Sequence, residues 1–280
     1  MPDAQIKLTT RLMRTVLYVA SILVLAVSIS LYFLPGRTDT YFSWTINPPL
    51  TAAFLGAGYL ASFILEFLSA RERVWANART AVPAVWVFTF LTLLVTLAHF
   101  DRFHFSAPQL ITVIGTWFWL LVYAGVPIVM GIAWILQARS PGTDPLRLSP
   151  LPTLLRVILV IQGFMMLLVG VVMVISPQAI IPYWPWTLSA LTCRAIGAWG
   201  VGIGIIAIQA SWENEWVRLR PMMISYMVYG VLQLLNLLRF LEEPDWTLPS
   251  AWAYALFVLS IFLVGLYGVI HIRRSNVPTA

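Results

Sequence analysis

One arginine, Arg194, stands inside an apolar stretch of more than 20 residues, and a charge in such surroundings needs a counter-charge or water. It follows Trp184 by ten positions, about 15 Å of helical rise. The carboxylates that could meet it are Glu242, Glu243 and Asp245 after the seventh apolar stretch, and Asp101, which aligns with Glu242 in the repeat described below. Pairing with one of them would lock the sixth helix to the seventh. Without such a partner, Arg194 would serve an anion or a lipid headgroup.

Arg239 closes the seventh stretch, with Asn236 and Gln233 three and six positions before it, so all three share one helical face. That face would line a polar pathway or carry interhelical hydrogen bonds, worth about 0.6–2 kcal/mol each; Gln162 has the same two readings. Glu66 precedes Arg71 and Arg73 near the end of the second stretch. It is read as snorkelling to the cytoplasmic interface, with a proton-coupling carboxylate as the sharper alternative. Its level differs from that of Arg194 by about 20 Å, which rules out a direct pair.

His99, Asp101 and His104 come nearest to a metal constellation, but positions five apart on a helix point about 140° apart. They are read as surface groups unless the chain turns after Phe100. A bis-histidine haem is disfavoured because His271 falls at the opposite membrane face, and no cofactor or metal is expected. Nucleophile elbows, H-E-x-x-H and C-x-x-C pairs do not occur. The single cysteine, Cys193, excludes an intramolecular disulfide. These features lean against an enzyme.

The elements that must position these groups follow from composition. Of 280 residues, 60% are hydrophobic and 10% charged, against roughly 25% charged in soluble domains. Apolar windows long enough to cross about 30 Å of hydrocarbon lie at 15–34, 50–69, 81–100, 110–137, 154–176, 188–209, 221–240 and 251–271. The first follows Lys7, Arg11 and Arg14 but is too long for a signal segment and lacks an A-x-A-like site, so it is expected to stay as a helix. With the N-terminus inside, only Arg37, Arg102, Arg194 and Arg239 of the 17 basic residues fall in the outer half. The positive-inside rule then places both termini in the cytoplasm. The net charge of +6 is explained by topology and needs no nucleic acid.

The chain also matches itself at an offset of 141 to 142 residues. Arg14 meets Arg156, Pro35 meets Pro177, Tyr41 meets Tyr183, Trp44-Thr45 meets Trp186-Thr187, and Gly56-Ala57 meets Gly197-Ala198. Glu72, Trp75 and Arg79 meet Glu213, Trp216 and Arg220. Such a pattern indicates tandem duplication. The expected fold is therefore an all-α integral membrane bundle of eight transmembrane helices, built as two parallel four-helix repeats, 1–140 and 154–280, joined by a cytoplasmic linker at 141–153. Ser21, Ser28, Gly163, Gly170, Gly200 and Gly204 fall at helix-packing spacing. Gly200-x-Gly202-x-Gly204 lies within an apolar span with no strand before it, so it is not a nucleotide loop. Tyr41, Phe42 and Trp44, with Tyr183, Trp184 and Trp186, are read as interface anchors, or as a stacking platform for a substrate.

The run from Trp184 to Trp199 resembles a W-P-W-x-L-T-P-L-T-x-R-x-x-G-A-W pattern of bacterial polytopic membrane proteins with no known activity, and each repeat looks loosely like a DoxX-like four-helix unit. Ser189-Ala190 stands where that pattern has Thr-Pro, and Ala53 where the first repeat would align an arginine. The resemblance implies a multi-pass protein of the bacterial inner membrane.

Three functional readings remain open on these residues. One is a small-solute or ion carrier or pore with an outward-facing vestibule. The second is a non-catalytic scaffold or accessory subunit that meets a lateral membrane-protein partner or a second copy of itself. The third is a quinone- or lipid-binding membrane protein. The lipid bilayer is a partner in all three.

Overall fold

The computed structural model describes residues 5–274. Eight helices dominate: α1 (Arg11–Ser28, prolonged by the wider turn Ile29–Phe33), α2 (Pro49–Arg71), α3 (Val82–Ala98), α4 (Leu110–Ala138), α5 (Thr153–Ile175), α6 (Ala190–Glu213), α7 (Trp216–Arg239) and α8 (Pro249–Arg274). Among the described residues, seven helices are long and apolar enough to cross a membrane. The eighth expected span is α3, whose 17 residues rise about 26 Å, short of a hydrocarbon core of about 30 Å.

The ends of the helices follow local chemistry. Thr10 accepts from the Met13 amide and caps α1. Ser189 and Thr192 form a reciprocal capping box at α6, and Pro49 opens α2, where a missing amide hydrogen costs nothing. Asn214, with φ of 45°, turns α6 directly into α7, a left-handed position that asparagine tolerates better than other side chains. Helix α7 therefore begins at Trp216, five residues ahead of the apolar window at 221–240.

Helices α2, α6 and α7 are mostly buried, whereas α1, α4, α5 and α8 bury only about a third of their spans or less. Helix α2 packs on α1 and α7, α3 on α4 and α6, α5 on α6, and α7 on α8. The inner layer thus pairs α2 with α7 and α3 with α6, and the outer helices turn apolar side chains such as Ile22, Leu121, Phe164 and Leu256 outward. Small residues set the tightest contacts. A Cβ on Gly197 would come 2.7 Å from the Gly170 carbonyl oxygen, and one on Gly204 would come 2.8 Å from that of Gly163.

Several contacts recur at the 141–142 offset. Arg14 Nε donates to the Ala70 carbonyl at 3.1 Å, and Arg156 Nε to that of Ser211 at 3.2 Å. Trp75 N bonds Lys7 O at 3.0 Å, as Trp216 N bonds Ser149 O at 3.1 Å; His104 N bonds Ser43 O at 2.9 Å, as Asp245 N bonds Pro185 O at 2.7 Å.

Two expectations for buried aromatic and acidic groups are corrected. Phe42, Trp44 and Trp186 are not interface anchors but core residues, and Trp186 Nε1 donates to Thr51 Oγ1 at 2.8 Å. Only Tyr41 and Tyr183 of those rings are exposed. Glu66 does not snorkel, since it is 1% exposed and accepts from Ser62 Oγ of its own helix at 3.0 Å.

Candidate functional site

Arg194 meets no carboxylate among the described residues. Its Nε donates to the Val174 carbonyl at 3.0 Å and its Nη1 to His99 Nε2 at 2.7 Å. The first contact satisfies one of the open carbonyls at the end of α5; the second reaches the residue that ends α3. Asp101 instead sits exposed beside Arg102 at 3.2 Å. Glu243 Oε2 accepts from the Leu50 amide at 2.9 Å, at the start of α2, and Asp245 holds Thr247. No ion pair of Glu242 occurs among the described residues. Arg194 therefore ties α6 to the ends of α5 and α3, not to α7. No residue number reveals which helix end curls toward it.

Because an arginine can only donate, His99 Nε2 accepts and the ring is neutral. Burial first, then the Arg194 cation, lower its proton affinity below the ordinary histidine value, with Asp101 opposing. Burial raises the Glu243 carboxyl, and the Leu50 amide works against that. His104 turns away from His99, with Nε2 3.1 Å from Thr45 Oγ1 and Nδ1 3.0 Å from the Phe42 carbonyl. The two imidazoles do not share a site.

The polar face of α7 divides. Gln233 Nε2 donates to the Phe54 carbonyl at 3.0 Å and Asn236 Nδ2 to Gln233 Oε1 at 3.3 Å, both fully buried. The first of these bonds links α7 to α2, and the second, within α7, orients the Gln233 amide. Arg239 leaves the group to reach the Tyr32 carbonyl at 2.9 Å and to cover the Phe240 ring. Gln162 likewise bonds Ser260 across α5 and α8, at 2.9 Å.

Aromatic rings fill the middle of the bundle. Trp199 lies 4.2 Å from Phe88 and 4.9 Å from Tyr59 between ring centres, and Trp119 lies 4.3 Å from Tyr123. Thr89, Thr92, Thr96 and Thr116 each donate to a carbonyl one turn back in their own helix. Tyr59 and Tyr123 share a hydroxyl contact at 2.7 Å. These groups fill the centre of the bundle with packed rings and hydrogen-bonded hydroxyls.

The open volume lies at the sides. A cleft of about 310 Å³ separates α5 from α8, lined by Met165, Met166, Val169 and Met173 on one side and Ala253, Tyr254, Phe257 and Val258 on the other, with Trp184 at its mouth. A second, of about 270 Å³, separates α1 from α4, lined by Leu23, Val24 and Val27 against Gly115, Phe118, Trp119 and Tyr123, with Tyr59 at its floor. Their walls correspond at the repeat offset: Leu23 to Met165, Val24 to Met166, Val27 to Val169, and Phe42 to Trp184. Both volumes are near the lower end of the roughly 300–1,000 Å³ usual for ligand pockets.

Sequence reasoning missed a charge cluster at the end that carries the N-terminal segment. Arg79 Nε and Nη2 bond Glu213 at 2.5 and 2.7 Å, and Arg218 Nη1 bonds it at 2.8 Å. Asp144 joins through Arg79 Nη1 at 2.6 Å. Arg79 starts the approach to α3, Glu213 ends α6, and Asp144 lies in the connection between α4 and α5. Glu72, the counterpart of Glu213, lies within electrostatic reach of Arg220, the counterpart of Arg79; its burial nevertheless raises its carboxyl, against Asn77, Arg220 and Arg71. The usable signal was the matched Glu72–Arg79 and Glu213–Arg220 pairs, which meet crosswise. No family model matches this sequence, and no curated protein or solved structure is significantly similar to it.

Proposed function

We propose that this chain is a multi-pass protein of the bacterial inner membrane, with eight spans and both termini cytoplasmic, that binds long hydrocarbon chains in its two lateral clefts. The observation that carries the reading is the pair of matched apolar clefts, each between the first and last helix of a four-helix half. The packed aromatic centre leaves less support for a polar-solute pore. The recurring hydrogen bonds and the crossed pairing of α2 with α7 and α3 with α6 support two parallel repeats, 1–140 and 154–280, about a common axis. The placement in the inner membrane rests on the basic-residue distribution and on the DoxX-like resemblance.

The occupant is a lipid acyl chain or an isoprenoid tail, since the walls offer methionine, valine, leucine and ring faces with few hydrogen-bonding groups. The polar end of such a molecule would lie beside Trp184 and Ser250 at the mouth of the α5–α8 cleft. Native mass spectrometry with an absorption spectrum, on protein extracted in its own lipids, tests this. Retained mass that falls stepwise in Ala253→Trp and Gly115→Trp supports cleft binding, and the spectrum separates a quinone from a phospholipid. A Cβ added at Gly115 would meet nothing within 4 Å, so a side chain there enters the cleft without striking a neighbour at its base. Retained lipid that ignores both substitutions, or its complete absence, would defeat the reading.

A further inference from the structure

Two arginines at the end of the bundle opposite the N-terminal segment hold equivalent places in the two halves. Arg194 Nε donates to the Val174 carbonyl at 3.0 Å, and Arg239 Nη1 to that of Tyr32 at 2.9 Å. Val174 is the last residue but one of α5, and Tyr32 the last but one of the wide turn that prolongs α1. These two carbonyls are counterparts at the repeat offset of 142. The arginines are not, since Arg194 starts from α6 and Arg239 from the end of α7, and their own counterparts are Ala53 and Ala98. The place recurs although the residue does not.

A cap on a helix end uses only part of each guanidinium. Arg194 Nη1 goes to His99 Nε2 at 2.7 Å, whereas Nη2 has no partner among the described residues and is not buried. With Nε2 accepting, the neutral ring carries its hydrogen on Nδ1, a second open donor. Arg239 is exposed, and its Nε and Nη2 have no partner among the described residues. Its guanidinium lies 4.9 Å from the centre of the Phe240 ring, and Phe240 is the counterpart of His99. No described carboxylate comes within 4 Å of either cation, in contrast to Arg102, which Asp101 holds at 3.2 Å. Exposed apolar side chains adjoin each contact in sequence, Leu97 and Ile175 at the first and their counterparts Leu238 and Phe33 at the second. Each arginine stands where two helices packed on a common inner helix end: α3 and α5 on α6, α1 and α7 on α2.

We propose that Arg194 with His99, and Arg239 alone, are two phosphate sites for phospholipid headgroups, one in each half of the bundle. Guanidinium hydrogens left open in a fixed fork match phosphate oxygens, and the adjoining apolar side chains suit the acyl chains below the phosphate. The first site has the extra imidazole donor and is the tighter. Both are separate from the α5–α8 and α1–α4 clefts, so neither depends on what occupies those.

Native mass spectrometry of the full chain in micelles tests this, with phosphatidylglycerol and, separately, a diacylglycerol of the same chains as probes. The wild type is expected to retain two more molecules of phosphatidylglycerol than of diacylglycerol. Arg194→Met should lose one of the two, Arg239→Met the other and the double variant both, whereas Arg102→Met, Gly115→Trp and Ala253→Trp should lose neither. Equal retention of the two lipids by the wild type, an unchanged excess in the double variant, or an equal loss in Arg102→Met would overturn the proposal. Inorganic phosphate that displaces phosphatidylglycerol at equal concentration would overturn the assignment to a lipid. Should a methionine variant fail to fold, the comparison of the two lipids on the wild type decides without it.

Discussion

Glu213→Gln is the substitution with the largest expected effect on stability. Glu213 accepts three charge-assisted bonds, two from Arg79 and one from Arg218, and its side chain and that of Arg218 are 7% and 3% exposed. Glutamine removes the charge and turns one acceptor into a donor that faces guanidinium hydrogens. Arg218 then keeps the Pro145 carbonyl at 2.6 Å and only a longer contact to Asp144, at 3.6 Å. Breaking a buried pair by removing one partner costs about 3–5 kcal/mol. Arg79→Gln, at a position 22% exposed, is expected to cost less, about 1–2 kcal/mol after solvent screening. Unfolding free energies in mixed micelles, with the Glu213→Gln/Arg218→Gln double variant, provide the measurement. The double variant should lose less than the sum of the single ones, because it removes the stranded charge. A Glu213→Gln cost below about 1 kcal/mol would refute the assignment of a desolvated cluster.

Three further outcomes are expected. Gly197→Val should separate α5 from α6 and cost at least about 1–3 kcal/mol, whereas Gly115→Ala should be neutral or slightly stabilising through helix propensity; chemical denaturation of both variants compares them. The lowered proton affinity of His99 means that acid protonates the unfolded chain first, so stability is unaffected above about pH 6.5 and falls as pH drops below it. Imidazole NMR should show His99 returning toward the ordinary value in Arg194→Met, and an unchanged titration would remove Arg194 as a cause. Trp186→Phe should cost about 1–2 kcal/mol in an unfolding titration, because buried Thr51 loses its donor.

The helices were legible in the sequence because hydrocarbon thickness and apolar run length are the same information. Apart from α7, helix ends fall within four residues of the expected spans. At α7 the error had a cause: Arg218, Arg220 and Pro221 read as a loop, but Glu213 receives Arg218 and Asn214 makes the turn. The glycines of α5 and α6 were legible too, since only close backbones need that spacing. The partner of Arg194 was not, because a carbonyl at the end of α5 is chemically identical to every other carbonyl in the sequence. Trp44 and Trp186 misled for a related reason, as a ring suited to the interface is equally suited to a core.

The crossed pairing of the inner helices bears on how the chain is made. Helices α2 and α3 bury their faces against α7 and α6, which lie among the roughly 140 residues that follow α4. At roughly 5–20 residues per second, the 101 residues from the end of α4 to the end of α7 need about 5–20 s to emerge. Throughout that interval the surface of α2 that bears Ser62 and the Phe54 carbonyl lacks the cover that α7 later gives it. The nascent first half must wait in lipid or beside an insertase until its second half arrives, and that delay is the period in which degradation or pairing with another copy competes with assembly.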